Sequence, residues 1–334
     1  MISRLAFLIL ICLNLGPTQP AFAAMLPAVD IPAMVNGADI VVIGRVEADD
    51  VRSPASNNAV RARVLRTIKG PASSRRISVR IDQHYPAIPV SQGQYRIFLI
   101  RGAGPVYDPV DPFHPSLPAS AAGGGKTVAG GNALTEIAEE LTSVIAEPPA
   151  ALIDKVMAAD ALATIPYEFA GSAVQTVAAS GQLPARLWAL SALLTMPGSE
   201  QAEAAIVDYL NSVRSVLLNP SPHDSDAAYF LIDAMEGHLK SPQAISLLGE
   251  LLKSDQNAVR RIAASILGDI GTSESSAVLA ELALNDADQT VRYYAVLGLA
   301  TAQGAARPPM DAFQKNEAPF LRKWKNWADS NLRK

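Results

Sequence analysis

Two stretches in the second half of the chain decide the fold: AVRRIAASILGDIG at residues 258–271 and TVRYYAVLGLATAQG at residues 290–304. They align at a constant offset of 32 residues, pairing Val259 with Val291, Arg260 with Arg292, Ala263 with Ala295 and Leu267 with Leu299. Apolar residues recur at intervals of four, which is the spacing of one face of a helix. A fixed repeat of this length predicts stacked helices that share one continuous core.

The same pattern occurs further upstream. ARLWALSALLTM at residues 185–196 has the ARxxAxxxL spacing, and DAAYFLIDAM at residues 226–235 repeats it in a weaker form. Second helices are predicted between these stretches, in EAAIVDYLNSV, PQAISLLGELL and SSAVLAELAL. The paired pattern resembles HEAT repeats of the short bacterial kind over residues 150–304. The resemblance implies an α-helical solenoid within residues 132–304.

Arg260 and Arg292 occupy the same position of the repeat, one residue after a valine. One interpretation makes them anion ligands on a binding surface. The other makes them structural, pairing with nearby carboxylates or helix carbonyls inside the array. We favour the structural interpretation and keep both arginines as candidate interaction residues.

The last segment, EAPFLRKWKNWADSNLRK at residues 317–334, predicts one more amphipathic helix. Its apolar face would carry Phe320, Leu321, Trp324, Trp327 and Ala328. One interpretation is an interfacial membrane helix. The other is a cap, within residues 305–334, that covers the open end of the array, and the terminal position favours it. The remaining candidate interaction residues lie here: Lys323, Trp324 and Trp327.

Residues 38–101 alternate apolar and polar side chains with period two, which predicts strands with one buried face. The predicted strands lie in ADIVVIGRVEA, AVRARVLRTIKG, ISVRI and QYRIFLIRG, with turn residues between them. At least four antiparallel strands in so short a segment predict a small barrel or sandwich at residues 24–110. The fold class is therefore multidomain α and β: a small antiparallel OB-like β-barrel followed by an α-helical HEAT-like solenoid.

This succession of strands, over residues 28–110, resembles the netrin-like domains, which include the tissue inhibitors of metalloproteinases and are barrels of the oligonucleotide/oligosaccharide-binding type. The resemblance implies the barrel fold. It also implies an alternative function, inhibition or regulation of an exported enzyme. The inhibitor members use an N-terminal cysteine and several disulfides, whereas Cys12 is the only cysteine of this chain.

Arginines alternate along the predicted strands, and Tyr85, Tyr95 and Phe98 lie near them in the sequence. A barrel with this pattern could stack single-stranded nucleic acid. The alternative is that the arginines form the solvated face of half-buried strands. Residues 25–110 carry 11 Lys or Arg against 7 Asp or Glu, a modest net charge of +4 that favours the solvated face. We therefore expect no nucleic-acid partner.

The chain begins with the pattern of a secretory signal peptide. Arg4 precedes an apolar run at residues 5–15, and residues 21–23 form a small-residue cleavage site. The run is well short of the roughly 20 residues of a membrane-spanning helix, and the residue before Cys12 is too large for a lipoprotein signal. A signal peptide over residues 1–23 predicts an exported bacterial protein, periplasmic or secreted, whose mature chain has no cysteine.

A loop rich in Gly and Pro, at residues 111–131, separates the two halves. GGGKT at residues 123–127 is similar to the end of a phosphate-binding loop. That motif, GxxxxGK[ST], needs a glycine where Ser120 stands and a helix directly after the threonine, so we interpret GGGKT as a glycine loop. The following NALTEIAEELTSVIAE predicts a helix with Asn132 as its N-cap.

The sequence offers no catalytic or metal-binding pattern. No histidine has HExxH spacing, and no GxSxG motif occurs among the serines. We expect no enzyme activity, no cofactor and no metal. Residues 111–314 carry 10 Lys or Arg against 23 Asp or Glu, a net charge of −13. We expect a protein-interaction or scaffold protein whose acidic surface binds a basic exported protein or the chain's own basic first domain, without membrane contact.

Overall fold

The computed structural model describes residues 28–47, 59–71, 75–81, 90–102, 105–121, 131–148 and 150–332, without the side chain of Ser180. The chain divides into two compact units, Met1–Glu200 and Gln201–Lys334. The predicted signal peptide at residues 1–23 and the GGGKT stretch at residues 123–127 lie outside the described residues.

The described residues of the first unit include six strands of one sheet: β1 (Ile40–Val46), β2 (Ala59–Lys69), β3 (Arg76–Arg80), β4 (Tyr95–Arg101), β5 (Asp108–Pro109) and β6 (Leu117–Pro118). Their order is β3-β2-β1-β4-β5, every strand pair is antiparallel, and β6 also pairs with β4. The backbone N of Tyr107 donates to Ser78 at 2.8 Å, and that of Arg80 donates to Tyr107 at 2.9 Å. This link from β3 to the segment before β5 nearly closes the sheet, so the predicted antiparallel, barrel-like fold is confirmed.

The sheet is buried on both faces at its centre. One face forms an apolar core from Ile40, Val42, Val46, Ala62, Ile77, Val79, Phe98 and Ile100. The opposite face of β1 and β4 is equally buried, at Val41, Ile43, Ile97 and Leu99. These two central strands are therefore almost continuously apolar, as expected for strands with both faces covered.

Five helices accompany the sheet: α1 (Ile31–Gly37), α2 (Ala133–Ala146), α3 (Leu152–Leu162), α4 (Tyr167–Ser180) and α5 (Leu183–Thr195). α1 packs on β4, and α2 packs on β2. The side chain of Asn132 accepts from the backbone N of Leu134 at 2.8 Å, so the predicted N-cap is confirmed. The domain limits predicted from the sequence stay predictions, and α2 to α5 lie in the same compact unit as the sheet.

Two strand arginines are buried, contrary to the solvated face that we expected from the alternating pattern. Arg66 on β2 donates to Glu140 at 3.2 Å, and Arg96 on β4 donates to Asp154 at 2.9 Å. Their side chains are only 7% and 2% exposed. Burial raises the pKa of Glu140 against the opposing effect of Arg66, and burial lowers the pKa of Arg96 against that of Asp154. The expectation is wrong for these two arginines because helix carboxylates cover them.

The described residues of the second unit form helices joined by loops, without a strand. The α-helices are α6 (Glu203–Ser212), α7 (Arg214–Leu218), α8 (Ser225–Met235), α9 (Ile245–Leu251), α10 (Asn257–Ile270), α11 (Ser273–Val278), α12 (Gln289–Ala302), α13 (Met310–Lys315) and α14 (Ala318–Asn331). A π-helical turn at Leu279–Ala283 continues α11. The aligned residues of the repeat are at most 1% exposed: Val259, Ala263, Leu267, Val291, Ala295 and Leu299. The predicted repeat of paired helices is confirmed.

Helices α10 and α12 cross at two glycines. A Cβ atom built on Gly268 would lie 2.6 Å from the Cα atom of Gly298, and a Cβ atom on Gly298 would lie 2.7 Å from a methyl carbon of Leu279. Real Cβ atoms do not approach that closely. The absence of side chains at both positions therefore sets the close distance between these helices.

Helices α13 and α14 follow the last repeat and pack against α12. Phe313 is fully buried, with its ring centre 5.3 Å from that of Tyr293 and 5.8 Å from that of Phe320. The Tyr293 hydroxyl donates to the backbone oxygen of Pro308 at 3.1 Å. Among the described residues, no helix is long and apolar enough to cross a membrane.

Candidate functional site

Helices α8, α10 and α12, which carry the repeated motif, expose the same positions in each repeat. Half-buried or exposed residues recur at an offset of 32 in four rows: Asp226, Ala258 and Thr290; Phe230, Ile262 and Tyr294; Asp233, Ser265 and Leu297; Gly237, Asp269 and Thr301. The aligned motif residues on these helices are buried. We call this surface the repeat face.

The second row of the repeat face is apolar, with Phe230, Ile262 and Tyr294 contributed by three consecutive motif helices. The helices are also joined by polar contacts, because Ser265 on α10 donates to Glu236 after α8 at 3.0 Å. Burial raises the pKa of Tyr294, and the Glu236 carboxylate adds to this effect. The apolar row thus crosses neighbouring repeats, where a merely solvated surface would be polar.

Arg260 and Arg292 hold the loops of the array together. Arg260 donates to both carboxylate oxygens of Asp286, at 2.8 and 3.1 Å, and to the backbone oxygen of Ser254 at 2.8 Å. Arg292 donates to both oxygens of Glu317, at 3.0 and 2.7 Å, and to the backbone oxygen of Asp286. Each arginine ties the loop before its own helix to a carboxylate further along the chain. This geometry agrees with the structural interpretation.

The neighbouring Arg261 is also paired. It donates to both carboxylate oxygens of Asp288, at 3.1 and 2.6 Å, and Asp288 is the N-cap of α12. The hydrogen bonds from Arg261 hold the pKa of Asp288 well below its usual range. The three arginines of α10 and α12 are therefore neutralised by carboxylates of the same unit.

The repeat face keeps an excess of negative charge. Among the described residues, no cation lies within ion-pair distance of four carboxylates on or beside it: Asp226, Glu236, Asp255 and Asp269. Because the arginines nearby are already paired, these carboxylates set the sign of the local potential. The arrangement suits a positively charged partner.

A shallow pocket of about 520 Å³ lies at the edge of the repeat face, where α10 and α12 begin. It is lined by Tyr229, Ala258, Arg260, Ala287, Asp288 and residues 255–257, where the loop enters α10. Within the described part of the chain, the side-chain oxygen of Gln256 is buried without a hydrogen-bond partner, and the Asp255 carboxylate forms no ion pair. The Asp255 carboxylate in this pocket suits a ligand group that donates hydrogen bonds, such as an ammonium or a guanidinium.

The other predicted interaction residues lie on α14. Trp324 is 3% exposed, with its ring centre 5.8 Å from that of the half-buried Trp327. The ammonium of the exposed Lys323 lies 4.8 Å from the centre of the Trp324 ring. These three side chains form one cluster, whereas Arg260 and Arg292 belong to the loop contacts of the array.

Sequence reasoning singled out the arginines and missed the residues that form the repeat face. A usable signal was present, because the residues between the buried motif positions also recur at an offset of 32. Phe230, Ile262 and Tyr294 are apolar at a position that a solvated helix would fill with polar residues. Asp255 and Gln256 give no such signal, since only the folded loops bring them together with α12.

Comparison with known proteins identifies the repeats. A family model described as HEAT repeats matches residues 217–300, which include α8 to α11 and most of α12. Comparison with curated proteins gives no match. HEAT repeats suggest a protein-interaction scaffold. The match does not extend to the sheet, whose netrin-like identity stays a prediction.

Proposed function

We propose that this protein is an exported, non-enzymatic scaffold that binds a basic protein through the repeat face. The observation that carries the proposal is the apolar row, Phe230, Ile262 and Tyr294, bordered by carboxylates without cationic partners. Apolar and aromatic side chains at the centre of an interface supply most of its affinity. The surrounding charge sets the choice of partner and the rate of association. Export rests on the signal peptide predicted at residues 1–23.

The pocket at the edge of the repeat face can bind one side chain of the partner. A lysine or arginine side chain that enters it would meet the Asp255 carboxylate. A charged donor that pairs with a carboxylate forms a strong, charge-assisted hydrogen bond. The pocket therefore favours a basic residue at one end of an otherwise apolar contact.

Fluorescence polarisation of the full chain with a labelled amphipathic peptide, rich in Leu and Lys, tests this proposal. Replacing Asp255 by Asn should raise the Kd about two- to fivefold, the effect of one partly exposed ion pair. Raising the ionic strength should weaken binding of the unsubstituted protein. Glu274→Gln provides the matched control, because Glu274 is an exposed carboxylate of α11, off the repeat face. An equal loss of peptide affinity in Asp255→Asn and Glu274→Gln would contradict binding through the repeat face.

The alternative function, inhibition or regulation of an exported enzyme by the sheet, stays a prediction from the sequence.

A further inference from the structure

A row of arginines crosses the sheet of the first unit in register. Arg76 on β3 pairs with Arg63 on β2, Arg63 pairs with Arg45 on β1, and Arg45 pairs with Tyr95 on β4. Residues directly opposite each other on antiparallel strands point to the same face. Three arginines and a tyrosine therefore lie side by side on this face, and Arg61 lies on it two residues before Arg63.

The outermost arginines of this face form ion pairs, and the central ones form none with the described part of the chain. Arg76 forms an ion pair with Glu47 at 3.0 Å, and Arg80, four residues further along β3, forms one with Asp108 at 2.6 Å. In the ranges that the structure describes, no carboxylate pairs with the central arginines, Arg45, Arg61 and Arg63. Arg45 lies over the Tyr95 ring, at 5.8 Å from its centre. We call Arg45, Arg61 and Arg63 the arginine face.

Like charges opposite each other on neighbouring strands destabilise a sheet. Arg63 faces an arginine on each side, at Arg45 and at Arg76, and the exposed Arg63 side chain contributes nothing to the apolar core. Local arrangements that oppose stability are typical of functional sites. The two outer ion pairs show that this face binds carboxylates where they are available.

We infer that the arginine face binds an acidic protein segment in an extended conformation. Arg61 and Arg63 are two residues apart on β2 and point to the same face, so their positions are spaced by about 6.5–7 Å. Alternate residues of an extended segment have the same spacing, and two carboxylates at such positions would match both guanidinium groups. Arginine recognises carboxylates well because its planar group can donate two parallel hydrogen bonds.

The contacts favour a carboxylate ligand over single-stranded nucleic acid. Proteins that bind single strands without sequence preference stack bases on exposed aromatic rings. Within this row the aromatic residue is Tyr95, which is half-buried and already contacts the Arg45 guanidinium. Among the described residues the charges of the arginine face have no carboxylate partner, whereas the Tyr95 ring is already covered by Arg45.

The test uses the full chain and a short fluorescein-labelled peptide of alternating Glu and Thr, which favours an extended conformation. We expect the double substitution Arg61→Gln/Arg63→Gln to raise the Kd of this peptide about three- to tenfold, the combined effect of two exposed ion pairs. The control is Arg214→Gln, which removes an exposed arginine of the second unit and should leave the Kd unchanged. The thermal unfolding of the control variant should match that of the unsubstituted protein, and the double variant should be at least as stable, because it removes the cross-strand repulsion at Arg63.

Three results would overturn the inference. The first is no binding of the Glu-Thr peptide, or binding that the double substitution leaves unchanged. The second is tighter binding of a single-stranded oligonucleotide that depends on the same two arginines. The third is self-association of the chain that disappears in the double variant, because the occupant would then be a second copy.

Discussion

Asp288 accepts five hydrogen bonds at the start of α12. The donors are the Nε and NH2 groups of Arg261, the side chain of Asn257, and the backbone N atoms of Thr290 and Val291. A carboxylate that accepts this many hydrogen bonds is favoured in its charged form, which is why its pKa is lowered. One side chain therefore caps α12 and fixes Arg261 beside the repeat face.

Replacing Asp288 by Ala should lower the free energy of unfolding by about 1–3 kcal/mol at neutral pH, through the lost cap and the unsatisfied donors. The pKa is depressed in the folded state, so the stabilisation is present above the ordinary pKa of about 3.9 and is lost as the pH falls below it. Urea titrations at pH 7 and pH 3 should show a smaller difference between variant and unsubstituted protein at pH 3.

Asp269→Ala serves as the control for that substitution, since Asp269 is exposed and forms no ion pair among the described residues. A difference for Asp288→Ala that grows on acidification would contradict the assigned contacts.

At the residue scale, the sequence predicted the buried positions of the repeat and favoured the structural role of Arg260 and Arg292. It did not predict Asp288, Asp255 or Gln256 as members of a site. The buried positions follow from periodicity along one helix, which is a local property. Asp255, Gln256 and Asp288 lie in loops before helices, and their contacts depend on the distance between helices that are far apart in the sequence.

Among the secondary-structure elements, the crossing of α10 and α12 depends on Gly298. Alanine at this position would favour the helix by about 1 kcal/mol. It would also place a methyl group against Gly268 and Leu279, and overpacking of a close contact typically costs about 1–3 kcal/mol. We expect a net loss of thermal stability for Gly298→Ala, measured by circular dichroism.

Gly249 of α9 provides the matched comparison for Gly298. A Cβ atom there would lie 3.5 Å from a methyl carbon of Val278, which is an ordinary contact. Gly249→Ala should therefore be neutral or stabilising. If both substitutions raise the melting temperature, that result would contradict the close approach of α10 and α12 at Gly298.

The ion pair between β4 and α3 tests the buried charges of the first unit. Asp154→Ala would leave the guanidinium of Arg96, whose side chain is 2% exposed, without its carboxylate. Removing one partner of a buried pair costs about 3–5 kcal/mol, whereas replacing both partners by apolar residues can be nearly neutral. Urea unfolding of Asp154→Ala and of Arg96→Met/Asp154→Leu should therefore show a larger loss for the single substitution.

If the double substitution lowered the free energy of unfolding more than Asp154→Ala does, the uncompensated charge of Arg96 would not be the main cause of the loss. Glu250→Ala, which breaks the exposed pair with Lys253, should change stability little and serves as the control.

At the scale of elements, the period-two pattern located the main strands of the sheet, and Asn132 correctly marked the start of α2. The pattern did not predict the burial of Arg66 and Arg96. Alternation assigns side chains to one face or the other of a strand. It carries no information about the helices that later cover the strands and supply carboxylates to these arginines.

At the scale of the whole molecule, charge divides the chain. Residues 25–110 carry a net charge of +4, from 11 Lys or Arg against 7 Asp or Glu. Residues 111–314 carry −13, from 10 against 23. The arginine face is positive and the repeat face is negative, because each retains charges without opposite partners among the described residues. We therefore propose that the chain presents two binding surfaces that select partners of opposite charge.

Photocrosslinking in living cells tests most directly whether the repeat face binds a basic protein. A photoreactive amino acid would replace Ile262 on the repeat face or Glu274 on α11. We predict that Ile262 captures a defined basic protein, that Glu274 does not, and that Asp255→Asn reduces the capture. Equal capture at both positions, or capture that Asp255→Asn leaves unchanged, would contradict the account that the repeat face is the binding surface.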